Sequence, residues 1–134
     1  MLPIFVTAVQ DSTGVDVIRR RFAPRASSVS KARRVAVVGI HDPELASRVA
    51  MVVSELATNA IRHAKTAFRL EVRNDSDGVR VIVSDSDPSP PRIMHGIGPK
   101  EPSGRGLVIV AALADRWGFH PEGRGKSVWA ELDA

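Results

Sequence analysis

Between Ala67 and Asp85 the hydrophobic period changes, and that change restricts the fold more than any other feature of the chain. AFRLEVR (67–73) and VRVIVSD (79–85) alternate apolar and polar side chains, the two-residue period of a strand with one buried face. NDSDG, rich in turn residues, lies between them and suits a hairpin. Strands joined by a hairpin run antiparallel, which argues against a doubly wound parallel sheet.

The segments on either side carry helical spacing. SSVSKARRVAVVG predicts a first helix with Ser27 or Ser28 as N-cap and Gly39 as its stop. Asp42-Pro43-Glu44 supplies an N-cap, a proline at the first helical position and an acid in the first turn of a long amphipathic helix reaching about Ala64. GRGLVIVAALADRW predicts a third helix ending near Gly118, and KSVWAEL a closing strand after the turn PEGRG. Val17–Phe22 suits a further strand, and residues 1–16 read as a tail or edge strand. Two helices, a hairpin, a helix and a strand predict a two-layer α/β sandwich, with a mixed, largely antiparallel sheet and helices on one face. At 134 residues and 43% hydrophobic content the chain fits one domain, over 17–134.

Composition removes several chemistries. No cysteine is present, and the four histidines lack metal-ligand spacing, so disulfides and structural zinc are not expected. Neither a leader pattern nor an apolar run of spanning length is found, so a cytoplasmic protein without membrane insertion is expected. The net charge of +4 owes much to Arg19, Arg20, Arg21, Arg25, Lys31, Arg33 and Arg34. An acidic partner surface or nucleic acid would be drawn to such a cluster, but no aromatic residues are interleaved with it for base stacking, so nucleic-acid binding is not favoured.

Three places carry chemistry. In ELATNAIRHA, Glu55, Asn59 and His63 recur every four residues. With a rotation of about 100° per residue, Asn59 lies about 40° and Glu55 about 80° to one flank of the stripe of Leu45, Val49, Val52 and Leu56. An amide on that border needs a user for its oxygen, and magnesium takes hard oxygen ligands; a glutamate one turn earlier is placed to accept a proton from an attacking hydroxyl. Packing alone also accommodates all three, as a solvated acid, a satisfied boundary amide and a cation near a helix C-terminus. SGRGL (103–107) puts two glycines before a helix whose first amides suit anionic oxygen. Before it, residues 86–103 hold five of the nine prolines, and a loop of that length makes a lid candidate. In VSDSDPSPP, Asp85 at a strand end suits a ligand amino group, while turn formation explains Asp85 and Asp87 equally well. Gly125-Lys126-Ser127 is no P-loop: the earlier glycine is replaced by His120, and a strand follows instead of a helix.

In this order ELATNAIRHA, VIVSDSDPSPP, SGRGL and GKSVW resemble the GHKL (Bergerat-fold) ATPases, and within them the small bacterial anti-sigma factor serine/threonine kinases, over roughly residues 17–133. Glu55, Asn59, Ala60, His63 and Ala64 all match the family's helix motif. The resemblance implies ATP and Mg2+ as cofactors, Glu55 as catalytic base, Asn59 as metal ligand and Asp85 as the adenine-contacting residue. It implies His63, Gly104, Arg105, Gly106, Leu107 and Ser127 as further nucleotide-binding positions, with Gly125 and Ser127 matching the last motif. The implied partners are a STAS-type anti-sigma antagonist, a sigma factor or both, with a homodimer possible; a catalytically silent switch is the alternative. One departure stands out, because Asp87 and Ser89 occupy the glycine positions of the family's Asp-x-Gly-x-Gly.

Overall fold

The computed structural model describes residues 9–10, 15–91 and 106–134. Along the chain run β1 (Val9–Gln10), β2 (Asp16–Phe22), α1 (Ser27–Ala36), α2 (Pro43–Asn59), a π-helical turn (Ala60–Ala64), β3 (Phe68–Asp75) and β4 (Gly78–Asp85). After 92–105 follow α3 (Gly106–Leu113), β5 (Arg116–Glu122) and β6 (Gly125–Asp133). The strands form one sheet in the order β1-β2-β3-β4-β6-β5. Every pairing is antiparallel, so the two-layer sandwich expected from the hairpin is present and its sheet lies wholly at the antiparallel end of that expectation.

Local chemistry accounts for the element ends. The Asp42 side chain accepts the Glu44 amide at 3.2 Å and Pro43 opens α2, as its sequence predicts. α1 begins differently: Ala26 is its N-cap without a side-chain bond, while the Ser28 hydroxyl donates to the Ala23 carbonyl at 2.8 Å. Gly39 takes the left-handed conformation, φ 84°, after the helix has ended. In the β3–β4 turn one Asp75 carboxylate oxygen accepts the amides of Asp77 and Gly78 at 2.8 and 3.2 Å.

One element departs from the sequence reading. The helical spacing expected to run to about Gly118 stops at Leu113, and Arg116–Glu122 form the edge strand β5. Asp115 makes the break, with its side chain accepting the Asp133 amide at 2.7 Å and its own amide donating to the Glu131 carbonyl at 2.8 Å. Pro121 is tolerated because β5 has a neighbour on one side only.

All three helices cover one face of the sheet. Val35, Val49, Val52, Leu56, Leu107 and Val110 from the helices close a single core over Phe22, Phe68, Leu70, Val72, Val81 and Leu132. The Phe22 and Phe68 rings stack with centroids 5.3 Å apart. Among the described residues no helix covers the opposite face, and none is long and apolar enough to cross a membrane.

Candidate functional site

The end of α2 meets the end of β4 and the start of β6, and a cleft of about 290 Å³ opens between them. Leu56, Val83 and Val128 form an apolar floor; Asn59, His63, Asp85, Asp87 and Lys126 bring polar groups to it. The volume lies at the low end for small-molecule sites. A larger hollow of about 460 Å³ lies on the open face of the sheet, lined by arginines and without Glu55, Asn59 or Asp85. The smaller cleft is therefore the chemical candidate.

A change of helical pitch shapes one wall. After Asn59 the ladder widens to a π-helical turn, closed by the Lys65 amide donating to the Ala60 carbonyl at 3.0 Å, with Lys65 left-handed at φ 56°. Arg62 on this turn and Lys65 at its C-cap bring positive charge to the rim of the cleft, and His63 lines it beside them. Asn59, immediately before the widening, also lines it, and no group among the described residues hydrogen-bonds its carboxamide. A half-buried carboxamide oxygen of this kind suits a hard cation.

Glu55 stands one turn before Asn59 on α2, half-buried, outside the lining of the described cleft. Burial raises its pKa above the ordinary value of 4.5, partly offset by the Arg62 charge. A carboxylate that holds a proton more readily is a better acceptor for a hydroxyl proton.

The opposite wall holds an ion pair. The Lys126 ammonium lies 3.1 Å from Asp85 Oδ2, and the side chains are 7% and 3% exposed. Lys126 Nζ also donates to Asp85 Oδ1 at 3.2 Å and to the Asp87 carbonyl at 3.0 Å. The Asp87 amide donates to Asp85 Oδ1 at 2.9 Å, and the Ser89 amide to Asp87 Oδ1 at 2.9 Å. Asp87 and Ser89, where the resembling family has glycines, thus build two successive turns closed by aspartate side chains. The bonds from Ser89, with smaller help from Lys126 and His63, hold the Asp87 pKa below its ordinary value. Gly125 sets the spacing of the two strands behind this wall, since a Cβ there would lie 1.8 Å from the Asp85 carbonyl oxygen. Only a glycine lets β6 run this close to β4.

Of the sequence-derived site residues, Asn59, His63 and Asp85 come together in the cleft. Ser127 does not, because alternation along β6 turns it to the open face of the sheet, where it meets Ser84 Oγ at 2.7 Å and donates to Glu122. Lys126 takes the cleft side in its place. Leu107 is buried in the core, so a ligand contact there would come from its backbone; Gly106 opens α3, and Gly104, Arg105 and the 92–103 part of the expected lid lie outside the described residues. Lys126 went unread as a site residue, yet a signal was available: it occupies the same parity as Val128, Ala130 and Leu132, so a core-facing ammonium requires a carboxylate.

The residues present fit the triphosphate and metal end of a nucleotide, through Asn59 and the cationic rim; at the base end the Asp85 carboxylate is already engaged. The chain matches the family described as Histidine kinase-like ATPase domain over residues 22–132. It is also 35% identical over 83 residues to an uncharacterised protein of Streptomyces coelicolor, an alignment covering 59% of this chain and 79% of that protein. The order of helices and strands, the cleft at the end of α2 and the extent of the match agree: the chain belongs to the histidine kinase-like ATPase domain family, whose members bind ATP.

Proposed function

We propose that this protein is an ATP-dependent serine/threonine kinase of the anti-sigma regulatory type, acting on a small STAS-type antagonist and holding a sigma factor inactive until that antagonist competes for release. The observation that carries the reading is the pairing on one helix of a desolvated carboxylate, Glu55, with a cleft-lining carboxamide, Asn59, beside a cationic rim. Glu55 takes the proton of the acceptor hydroxyl. The hydroxyl oxygen then bonds to the γ-phosphorus while the bond to the β–γ bridging oxygen breaks, leaving phosphoprotein and ADP. Asn59 offers the side-chain oxygen for magnesium, which when bound neutralises triphosphate charge. Arg62, Lys65 and His63 attract and orient the polyanion from the rim.

Labelled ATP, magnesium and a panel of small antagonist domains from the same genome test the assignment. Transfer to a serine or threonine of one domain is expected, and Glu55→Ala should abolish it while leaving ATP binding intact. Unchanged phosphorylation by that variant would defeat the role of Glu55. A specific feature favours a second reading, a nucleotide-silent switch: Lys126 already occupies Asp85, and Asp87 and Ser89 replace glycines. Absence of magnesium-dependent ATP binding by calorimetry would select it.

A further inference from the structure

The uncovered face of the sheet carries arginines in an arrangement that sheet stability alone disfavours. Cross-strand register sets Arg21 directly opposite Arg69, and Arg73 directly opposite Arg80. Like charges facing each other across antiparallel strands are destabilising. Three carboxylates, Glu71, Glu131 and Asp133, answer part of this charge. Glu71 lies 2.6 Å from Arg19 and 3.2 Å from Arg73, and Glu131 lies 3.3 Å from Arg116. Glu131 stands across from Arg80 in the β4–β6 register, but its carboxylate pairs with Arg116, and among the described residues no ion pair within 4 Å engages Arg21, Arg69 or Arg80. These three border the hollow of about 460 Å³, whose floor includes Ile82, Ser84 and Ser127. Its other acid, Glu122, accepts the Ser127 hydroxyl.

We propose that this face is the docking surface for an acidic segment of a partner protein, whose carboxylates engage the guanidinium groups of Arg21, Arg69 and Arg80. A planar guanidinium accepts a carboxylate through two parallel hydrogen bonds, so three of them on a rigid sheet recognise spaced Asp and Glu side chains. On the floor Ile82 offers an apolar contact for the aliphatic parts of such a segment. Nucleic acid fits less well. Of the aromatic rings on this face among the described residues, Trp129 is already covered by the Arg80 guanidinium at 5.2 Å, which leaves the His120 imidazole at the border of the hollow, whereas single strands need several free rings in succession to stack on. A second copy of the chain presenting the same face would set arginine against arginine. The surface is distinct from the nucleotide cleft, so its role does not depend on the kinase reading.

Fluorescence anisotropy with the full chain and a labelled Asp/Glu-rich peptide tests the proposal, with a single-stranded oligothymidine as comparison probe. The informative variants are R69E/R80E on this face and R33E/R34E on exposed positions of α1, which remove the same net charge. R69E/R80E should weaken peptide binding about tenfold or more, equivalent to about 1.4 kcal/mol, and R33E/R34E by no more than about twofold. Where a glutamate variant fails to fold, R69Q/R80Q against R33Q/R34Q gives the same comparison with smaller steps. Equal losses in both variants, absence of peptide binding, or tighter binding of the oligonucleotide than of the peptide would each overturn the assignment.

Discussion

Replacing Lys126 with methionine removes the ammonium from the Asp85 pair while keeping most of its volume. Both side chains are more than nine-tenths buried, so water does not replace the lost partner and Asp85 is left as an uncompensated carboxylate. Breaking such a pair costs about 3–5 kcal/mol. At about 2.1 cal/mol/K of unfolding entropy per residue, a chain of 134 residues should then melt about 10–18 °C lower. Calorimetry and urea titration followed by Trp117 and Trp129 fluorescence measure the loss. The double variant Asp85→Asn/Lys126→Met removes both charges and should recover most of it, because deleting a buried pair together is often nearly neutral. The same variants report on the nucleotide. If the adenine amino group seats at Asp85, K126M should bind ATP roughly 10- to 100-fold tighter than wild type, because a hydrogen bond to the buried charged oxygen that Lys126 no longer engages contributes about 1.5–3 kcal/mol. A K126M loss below about 1 kcal/mol, or a double variant as unstable as the single one, would refute the claim that the buried pair is an energetic unit. Unchanged ATP affinity would instead refute the placement of the base at Asp85.

Three further outcomes follow from the same wall and helix. Glu55 has its pKa raised by burial, so the folded state holds this proton more tightly than the unfolded chain, and the stability linked to it declines as pH rises from about 4.5 through the folded value. E55Q should therefore be more stable than wild type at neutral pH and equal to it well below 4.5, while wild-type phosphoryl transfer should have its acidic limb above that value; a limb at or below it would contradict the assignment of the base. Asn59→Ala should abolish the difference in ATP affinity measured with magnesium and with EDTA, and a difference persisting in calorimetry would remove Asn59 as the ligand. Gly125→Ala puts a methyl group against the Asp85 carbonyl oxygen, a backbone atom that yields only if β6 moves away from β4, so a loss of about 1–3 kcal/mol is expected in urea titration. Wild-type stability in that variant would show that the close approach is not required.

Local signals carried much of the fold into the sequence. Asp42, Pro43 and Glu44 announce the start of α2 because capping is settled within four residues, and NDSDG announces its hairpin because Asp75 closes the turn on its own neighbours. β5 was hidden for the converse reason. The apolar residues of LVIVAALADRW fit a helix up to Trp117, and what ends it is the bonding of Asp115 to Glu131 and Asp133, distant in sequence and adjacent only once β6 is laid down. The site divides along the same line. Asn59 and His63 are legible because residues four apart stay on one side of the chain even where α2 passes into the π-helical turn, whereas Ser127 and Lys126 exchange roles according to which face of β6 meets α2.

That exchange on β6 links the two surfaces of the molecule. Strand alternation sends Lys126 and Val128 to the cleft and Ser127 and Trp129 to the opposite face, so each side of one strand serves a different site. Gly125 lets β6 approach the β4 backbone, so that on the cleft side Lys126 reaches Asp85; on the open side Ser127 meets Ser84, and Trp129 supports Arg80. A one-residue slip in the β4–β6 register would exchange these sets, burying a serine and a tryptophan in the core and expelling the ammonium from its carboxylate. The pairing of Ser84 with Ser127 and of Asp85 with Lys126 resists that slip from both faces at once. Occupation of the cleft and docking on the arginine face therefore share a strand whose register both depend on. A variant that loosens β6, such as Gly125→Ala, should weaken peptide binding on the open face as well as nucleotide binding in the cleft, whereas R69E/R80E should leave the cleft unchanged.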